Sequence, residues 1–220
     1  MTAIKPAATV VVVRDGANGL EVLMLCRNRK VGFVGGYWVF PGGTVAKHEL
    51  DGSEEQSAAL VAVARECKEE AGLDLDTGRL LLFAYWLTPE ESPKRFSTWF
   101  FIYQTKDYDE IVVDGEEIVD YRWERPTILI RDHRKGDLKL IPPTYVTLLE
   151  LSEFSNARDA LSSYQERGIR HYIPRIVMQE GRVYTIYQED AGYEYRKPEI
   201  SGSRHRSWVD ESGCHYERNI

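Results

Sequence analysis

Cysteine is scarce in this sequence. Cys26, Cys67 and Cys214 stand far apart, and no CxxC pair exists. Neither a zinc knuckle nor a redox dithiol is suggested, and an odd, sparse count suits a reducing compartment such as the cytoplasm. Long apolar runs are also missing. The apolar opening, residues 7–13, is too short to cross a membrane. It is β-branched and runs straight into Arg14-Asp15-Gly16, so it predicts a strand rather than a signal peptide. Positive charge is in deficit: 28 Lys and Arg against 35 Asp and Glu leave a formal net charge of −7. A broad grip on nucleic acid needs the opposite balance, so nucleic acid is disfavoured as a partner. An anionic small molecule must then be held by a local basic or metal site. The sequence has no Pro/Ser/Gly-rich linker, no internal repeat and no low-complexity tract.

What is present is an ordinary globular balance. The chain has 220 residues, 43% hydrophobic and 29% charged, which suits one compact domain with an extension. Residues 8–13 read as a strand buried on both faces, and residues 20–26 as its hairpin partner across a Gly/Asn turn cluster. Tyr37-Trp38-Val39-Phe40-Pro41 leads into a glycine-rich loop. Residues 53–71 form the clearest helix, with Gly72 as its stop. Strands follow at 80–87, 97–104 and 118–124, and a short helix at 126–133. Beyond them, Thr144 is expected to cap a helix over 145–154, and a second helix covers 156–167. A hairpin surrounds Gly181. Residues 201–220 are polar, with Trp208 and Tyr216 as anchors.

The chemistry lies in Arg65-Glu66-Cys67-Lys68-Glu69-Glu70-Ala71-Gly72-Leu73. On a helix, Glu66, Glu69 and Glu70 are related as i, i+3 and i+4, so they share one face. Three like charges there repel one another, and a hard divalent cation between them relieves the repulsion; all-oxygen ligands suit Mg²⁺ or Mn²⁺. The competing reading is a solvated charged face. The preceding Phe40-Pro41-Gly42-Gly43 shifts the balance towards a site, because a glycine pair lets the backbone approach a ligand and offers a carbonyl to a metal. Cys67 fits a small buried hydrophobe.

The joint pattern resembles the Nudix box, G-x5-E-x7-R-E-U-x-E-E-x-G-U, where U is a bulky apolar residue. Its second half matches at every fixed charged and glycine position, with Cys67 and Leu73 at the two U positions. The first half departs. Gly43 and Arg65 are eight residues further apart than the box allows, and counting back from Arg65 puts Ser57 where the early Glu belongs. Glu54 or Glu55 is the candidate to take over a structural role there.

The resemblance implies an α/β/α sandwich with a mixed sheet over about residues 7–133. It gives a Nudix hydrolase domain at 1–139, and a helical and β-hairpin extension at 140–220 packed on the same domain. It implies Mg²⁺-dependent (or Mn²⁺-dependent) hydrolysis of a nucleoside diphosphate linked to another moiety. The lengthened loop is similar to that of Nudix enzymes acting on coenzyme A and its esters. The coenzyme A signature is half matched: Gly36 fits, whereas Gly32 stands at the expected Arg position and Arg29 lies three residues early. By the same resemblance Glu66 and Glu70 are the main metal ligands, the Gly43 carbonyl is an added one, and Glu69 is a further ligand or base. Arg65 holds a carboxylate in place. The general base is sought outside the helix, at Glu116 or Glu117. The alternative is a catalytically silent Nudix-like module that binds a nucleotide and regulates; retention of all three helix glutamates favours the enzyme. An RNA-cap or oligonucleotide hydrolase is disfavoured by the charge balance.

Tyr85, Trp86, Trp99, Phe100 and Phe101 read first as core. Alternation puts Trp99 and Phe101 on one face and Phe100 on the other, so some of them can line a pocket. Arg204-His205-Arg206 reads as a basic turn, with a phosphate or partner contact as the sharper alternative. Residues 140–220 are expected to fold onto the core and to help form the substrate site or a homodimer interface. Tyr145, Leu148, Leu149 and Leu151 demand burial, and a lone hairpin is marginally stable.

Overall fold

Val10 to Val13 form the centre of β1 (Ile4–Gly16) and are shielded on both faces. The computed structural model describes residues 3–32, 34–105, 110–210 and 213–220. A turn at Gly19 reverses the chain into β2 (Gly19–Arg27), antiparallel to β1. Two short strands follow, β3 (Trp38–Val39) on β2 and β4 (Gly42–Thr44) on the start of β1. Then come α1 (Lys47–Leu50) and α2 (Glu55–Ala71). The strands β5 (Leu81–Leu87), β6 (Arg95–Gln104) and β7 (Ile118–Glu124) add to the same sheet, β6 parallel to β1 and β7 antiparallel to β2.

One face of this mixed sheet is covered by α2. Its inner side is built largely from small residues, Ala58, Ala59, Ala62, Cys67 and Ala71, which lets the helix lie close to the strands. Gly72 ends it in the left-handed region at φ 73°, and its N–H returns to the Lys68 carbonyl. The opposite face carries α3 (Pro126–Lys135), α4 (Pro142–Leu151) and α5 (Ala157–Arg167). This is the expected α/β/α sandwich.

The residues beyond α5 do not stand apart. The short strand β8 (Arg170–Tyr172) joins the first sheet, parallel to β5. Tyr172 lies flat on Trp86, with ring centroids 3.8 Å apart and an interplanar angle of 2°. Glu150 on α4 accepts from Arg170 and from the Tyr172 hydroxyl, and pairs with Arg167 at 3.1 Å. Burial alone would raise the Glu150 carboxyl; the two arginines outweigh it and hold the group below its ordinary value. A second, antiparallel sheet follows in the order β9 (Arg175–Gln179), β10 (Arg182–Ile186), β11 (Arg204–Asp210) and β12 (Gly213–Asn219).

Two local expectations fail. Thr144 is not a cap: α4 begins at Pro142 with Ile141 outside it, and Thr144 is buried in its first turn, because a proline needs no N–H partner there. Arg204-His205-Arg206 is neither a turn nor an exposed contact. It opens β11, and Arg206 donates two 2.7 Å hydrogen bonds to the fully buried carboxylate of Asp190.

Candidate active site

The site begins where β4 meets α2. Gly42 has φ 150°, a value side chains rarely adopt, and a Cβ there would overlap the Ala8 carbonyl. Its N–H donates to Glu70 Oε2 at 2.8 Å. A Cβ on Gly43 would overlap the Glu66 carboxylate. The glycine pair therefore lets the backbone of β4 lie directly against the acidic face of α2.

Glu70 is buried, with 4% of its surface exposed. Desolvation pushes its carboxyl up to about 8; the Gly42 N–H and Arg27 oppose this, and Glu66 and Glu117 add to it. Glu66 is also raised, chiefly by burial, against the pull of Arg65. Glu66, Glu70 and Glu117 thus act on one another across one small space. Arg27, at the end of β2, bridges two of them: it pairs with Glu117 at 2.5 Å and reaches Glu70 at 3.9 Å. Glu69 stands apart from this group. It is exposed, and its carboxylate accepts from Arg65 at 3.1 Å. The three helix glutamates consequently do not meet at one point; Glu70 turns under Gly42 while Arg65 draws Glu66 and Glu69 the other way.

Arg65 is the hub. It donates to Glu49 at 2.9 Å, to Glu66 at 2.8 Å, to Glu69, and to the Thr44 carbonyl at 3.2 Å. Glu49 comes from α1, inside the lengthened loop. Counted forward from Gly43, Glu49 stands at the box spacing G-x5-E. The extra residues lie between Glu49 and Arg65, and Ser57 is an exposed residue of the first turns of α2. The early glutamate is present after all. Counting back from Arg65 missed it; counting forward from the glycine finds it. Glu54 takes no part, and Glu55 instead accepts from Ser97 and from Trp99 Nε1, each at 3.0 Å.

The two acids proposed from the β7 approach part company. Glu117 lines the cleft, whereas Glu116 does not; the Glu116 carbonyl accepts from Asn28 Nδ2. Asp114 shapes this turn by accepting the N–H groups of Glu116, Glu117 and Ile118. From Glu66 and Glu117 a cleft of about 650 Å³ runs along the sheet to Trp86, Phe100 and Tyr187. The alternation of β6 is as expected: Phe101 packs under α2 and Phe100 faces the cleft.

Among the described residues, no three acidic, histidine or cysteine side chains form a ready coordination shell. The chemistry of the donors nevertheless fits a hard cation. All are oxygens, two of the carboxylates are raised by burial, and the glycine pair leaves room for a backbone carbonyl beside them.

The family model of the NUDIX domain matches residues 4–143, well over half of the chain. The chain belongs to the Nudix family. The Caenorhabditis elegans protein called nudix hydrolase 7 is 26% identical over 168 residues, 60% of this chain and 56% of that protein. The Homo sapiens acyl-coenzyme A diphosphatase NUDT19 is 25% identical over 119 residues, 49% of this chain and 32% of that protein. The chain therefore spans about half the length of one of these Nudix relatives and a third of the other. The crystal structure of a NUDIX hydrolase from Alicyclobacillus acidocaldarius superposes with a TM-score of 0.69 at 26% identity, over 74% of this chain and 97% of that one. No helix among the described residues of this Nudix protein is long and apolar enough to cross a membrane.

Proposed function

We propose that this chain is a Mg²⁺- or Mn²⁺-dependent diphosphohydrolase that cleaves a nucleoside diphosphate linked to another moiety, with coenzyme A or an acyl ester of it as the leading substrate. The observation that carries the reading is the placement of Glu66 and Glu117 at the head of the cleft beside Gly42-Gly43, with Glu70 buried against the Gly42 N–H. The likeness to an acyl-coenzyme A diphosphatase and the longer loop before α2 support the finer substrate assignment. The free thiols of all three cysteines suit a cytoplasmic setting.

Glu66, Glu70 and the Gly43 carbonyl would hold the cation. When bound, the cation neutralises phosphate charge and makes a nearby water more acidic. The protein supplies position and charge. Arg65 fixes Glu66 against Glu49, so the helix carboxylate keeps one orientation. Glu117, which lines the cleft and pairs with Arg27 at rest, would accept the proton of the attacking water. Arg27 sets the resting position of Glu117. Burial of Glu70 under Gly42 keeps bulk water from solvating it.

The test is a substrate screen with ADP-ribose, NADH, diadenosine polyphosphates, coenzyme A, acyl-coenzyme A and deoxynucleotides, with Mg²⁺, Mn²⁺ or chelator. Cation-dependent release of a phosphomonoester is expected. Undiminished turnover after exhaustive chelation would refute the metal assignment. Tight nucleotide binding without turnover would mark a silent regulatory module instead.

A further inference from the structure

We propose that the far half of the cleft is a subsite for an uncharged aliphatic chain carried by the substrate, and that the C-terminal sheet contributes part of its wall. The inference rests on the diphosphatase reading above and specifies the group that lies away from the bond cleaved. The first observation is charge. Among the described residues lining the cleft, Arg27, Glu66 and Glu117 are the charged ones, and all three stand at the α2 end. No cation waits in the far half for a second phosphate. The wall there is formed by Phe96, Phe100, Ile141, Ile176 and Tyr187, with Thr98 and Thr185 among them.

The second observation is how the aromatic rings are used. Trp86 gives one face to Tyr172 at 3.8 Å. Tyr187 stands edge-to-face against both Trp86, at 5.7 Å, and Tyr172, at 5.6 Å, and its hydroxyl pairs with Ser207 Oγ at 3.2 Å. A nucleobase is held by an open ring face and is read by free polar groups. Tyr172 covers one face of Trp86 and the Tyr187 hydroxyl is paired, while the indole N–H of Trp86 is buried without a hydrogen-bond partner among the described residues. The carbon surface of these rings suits dispersion contact with a flexible chain.

The third observation is origin. Ile176 and Tyr187 lie beyond the residues matched by the family domain, whereas Phe96, Phe100 and Ile141 lie within them. Ile176 sits on β9, the edge strand of the second sheet, and is half-buried. A substitution there alters the wall without opening the core.

The experiment uses the full chain and coenzyme A esters from acetyl to octanoyl, which share one head group. With Mg²⁺, kcat/KM should rise along the series by about tenfold or more. Ile176→Asp should flatten that rise, and Ile176→Trp should shift the preference to shorter chains; circular dichroism checks that each variant is folded. Calorimetry in chelator gives a second readout, a heat-capacity change of binding that grows more negative with chain length. Turnover with no dependence on chain length in either readout overturns the subsite and leaves the diphosphatase standing. Chain-dependent binding without turnover of any diphosphate supports the subsite and overturns the diphosphatase. Absence of both overturns both.

Discussion

Arg65 Nε donates a 2.9 Å hydrogen bond to Glu49 Oε1 across a separation of sixteen residues. The pair fastens the lengthened loop to α2. Glu49 is nearly buried, and the bond from Arg65 is the main cause that holds its carboxyl below its ordinary value, against the opposing effect of burial. Glu49 also accepts from the Ala46 N–H at 2.6 Å, so the loop, its short helix and the hub arginine form one unit.

Removing that anchor should loosen the site. Glu49→Ala leaves a half-buried arginine without its best partner, and should cost about 1–3 kcal/mol of stability by urea denaturation. It should also lower kcat, by about a hundredfold if Glu66 is displaced by an ångström. Ser57→Glu, on an exposed turn of α2, should change kcat/KM by less than about twofold, since surface changes of this kind are worth only a few tenths of a kcal/mol. A large gain from Ser57→Glu would show that Ser57 occupies the motif position after all.

Glu70→Gln separates metal chemistry from folding. Glutamine keeps the volume and an oxygen that accepts from the Gly42 N–H, while it removes the charge that burial disfavours. The variant should melt no lower than the parent in chelator. Its kcat with Mg²⁺ should fall by about 10²–10³. Near-parental turnover would mean that this carboxylate does not hold the cation.

Glu117 and Glu116 make an internal control for the base. Glu117→Gln should reduce kcat by about 10²–10⁴. Glu116→Gln should leave kcat/KM within about twofold, because Glu116 does not line the cleft. Equal losses from the two variants would count against Glu117 as the proton acceptor.

The second sheet should be one acid-sensitive part of the molecule. Burial would raise the Asp190 carboxyl, but Arg206 and the N–H groups of His205 and Gly192 outweigh it and hold the group below its ordinary value. Its folded pKa is thus below its unfolded one. The stability it contributes is complete above the unfolded value of about 3.8 and is lost as pH falls through the folded value. Asp190→Asn leaves Arg206 buried with no counter-ion and should cost about 3–5 kcal/mol. Near-ultraviolet circular dichroism of the aromatic cluster around Tyr187, followed from pH 6 to pH 2, checks both statements; an acid transition unchanged in Asp190→Asn would refute the link.

The sequence was most legible where local signals agree. The valine run of β1, the glycine stop of α2 at Gly72 and the strand at 118–124 each rest on neighbouring residues, and the structure has them where the pattern puts them. The acidic face of α2 was legible as a face. The separation of its three carboxylates was not, because it depends on Gly42 and Arg65 approaching from opposite sides. β8 and the pairing of β11 with β12 were missed: β8 is three residues long, and Arg206 inside a strand looks polar until Asp190 is seen beneath it. Long-range partners of this kind leave no periodic trace.

β1 carries a last consequence, for the making of the protein. It runs parallel to β6, and every paired residue has its mate roughly ninety positions later in the chain. A nascent chain therefore emerges with Val10 to Val13 on show and must keep them so until Gln104 has left the ribosome. At usual synthesis rates the wait is on the order of five to twenty seconds. Through that interval β1 has its hairpin mate, β4 and α2 for shelter but lacks its parallel partner, which makes the newborn chain a natural client for holdase chaperones.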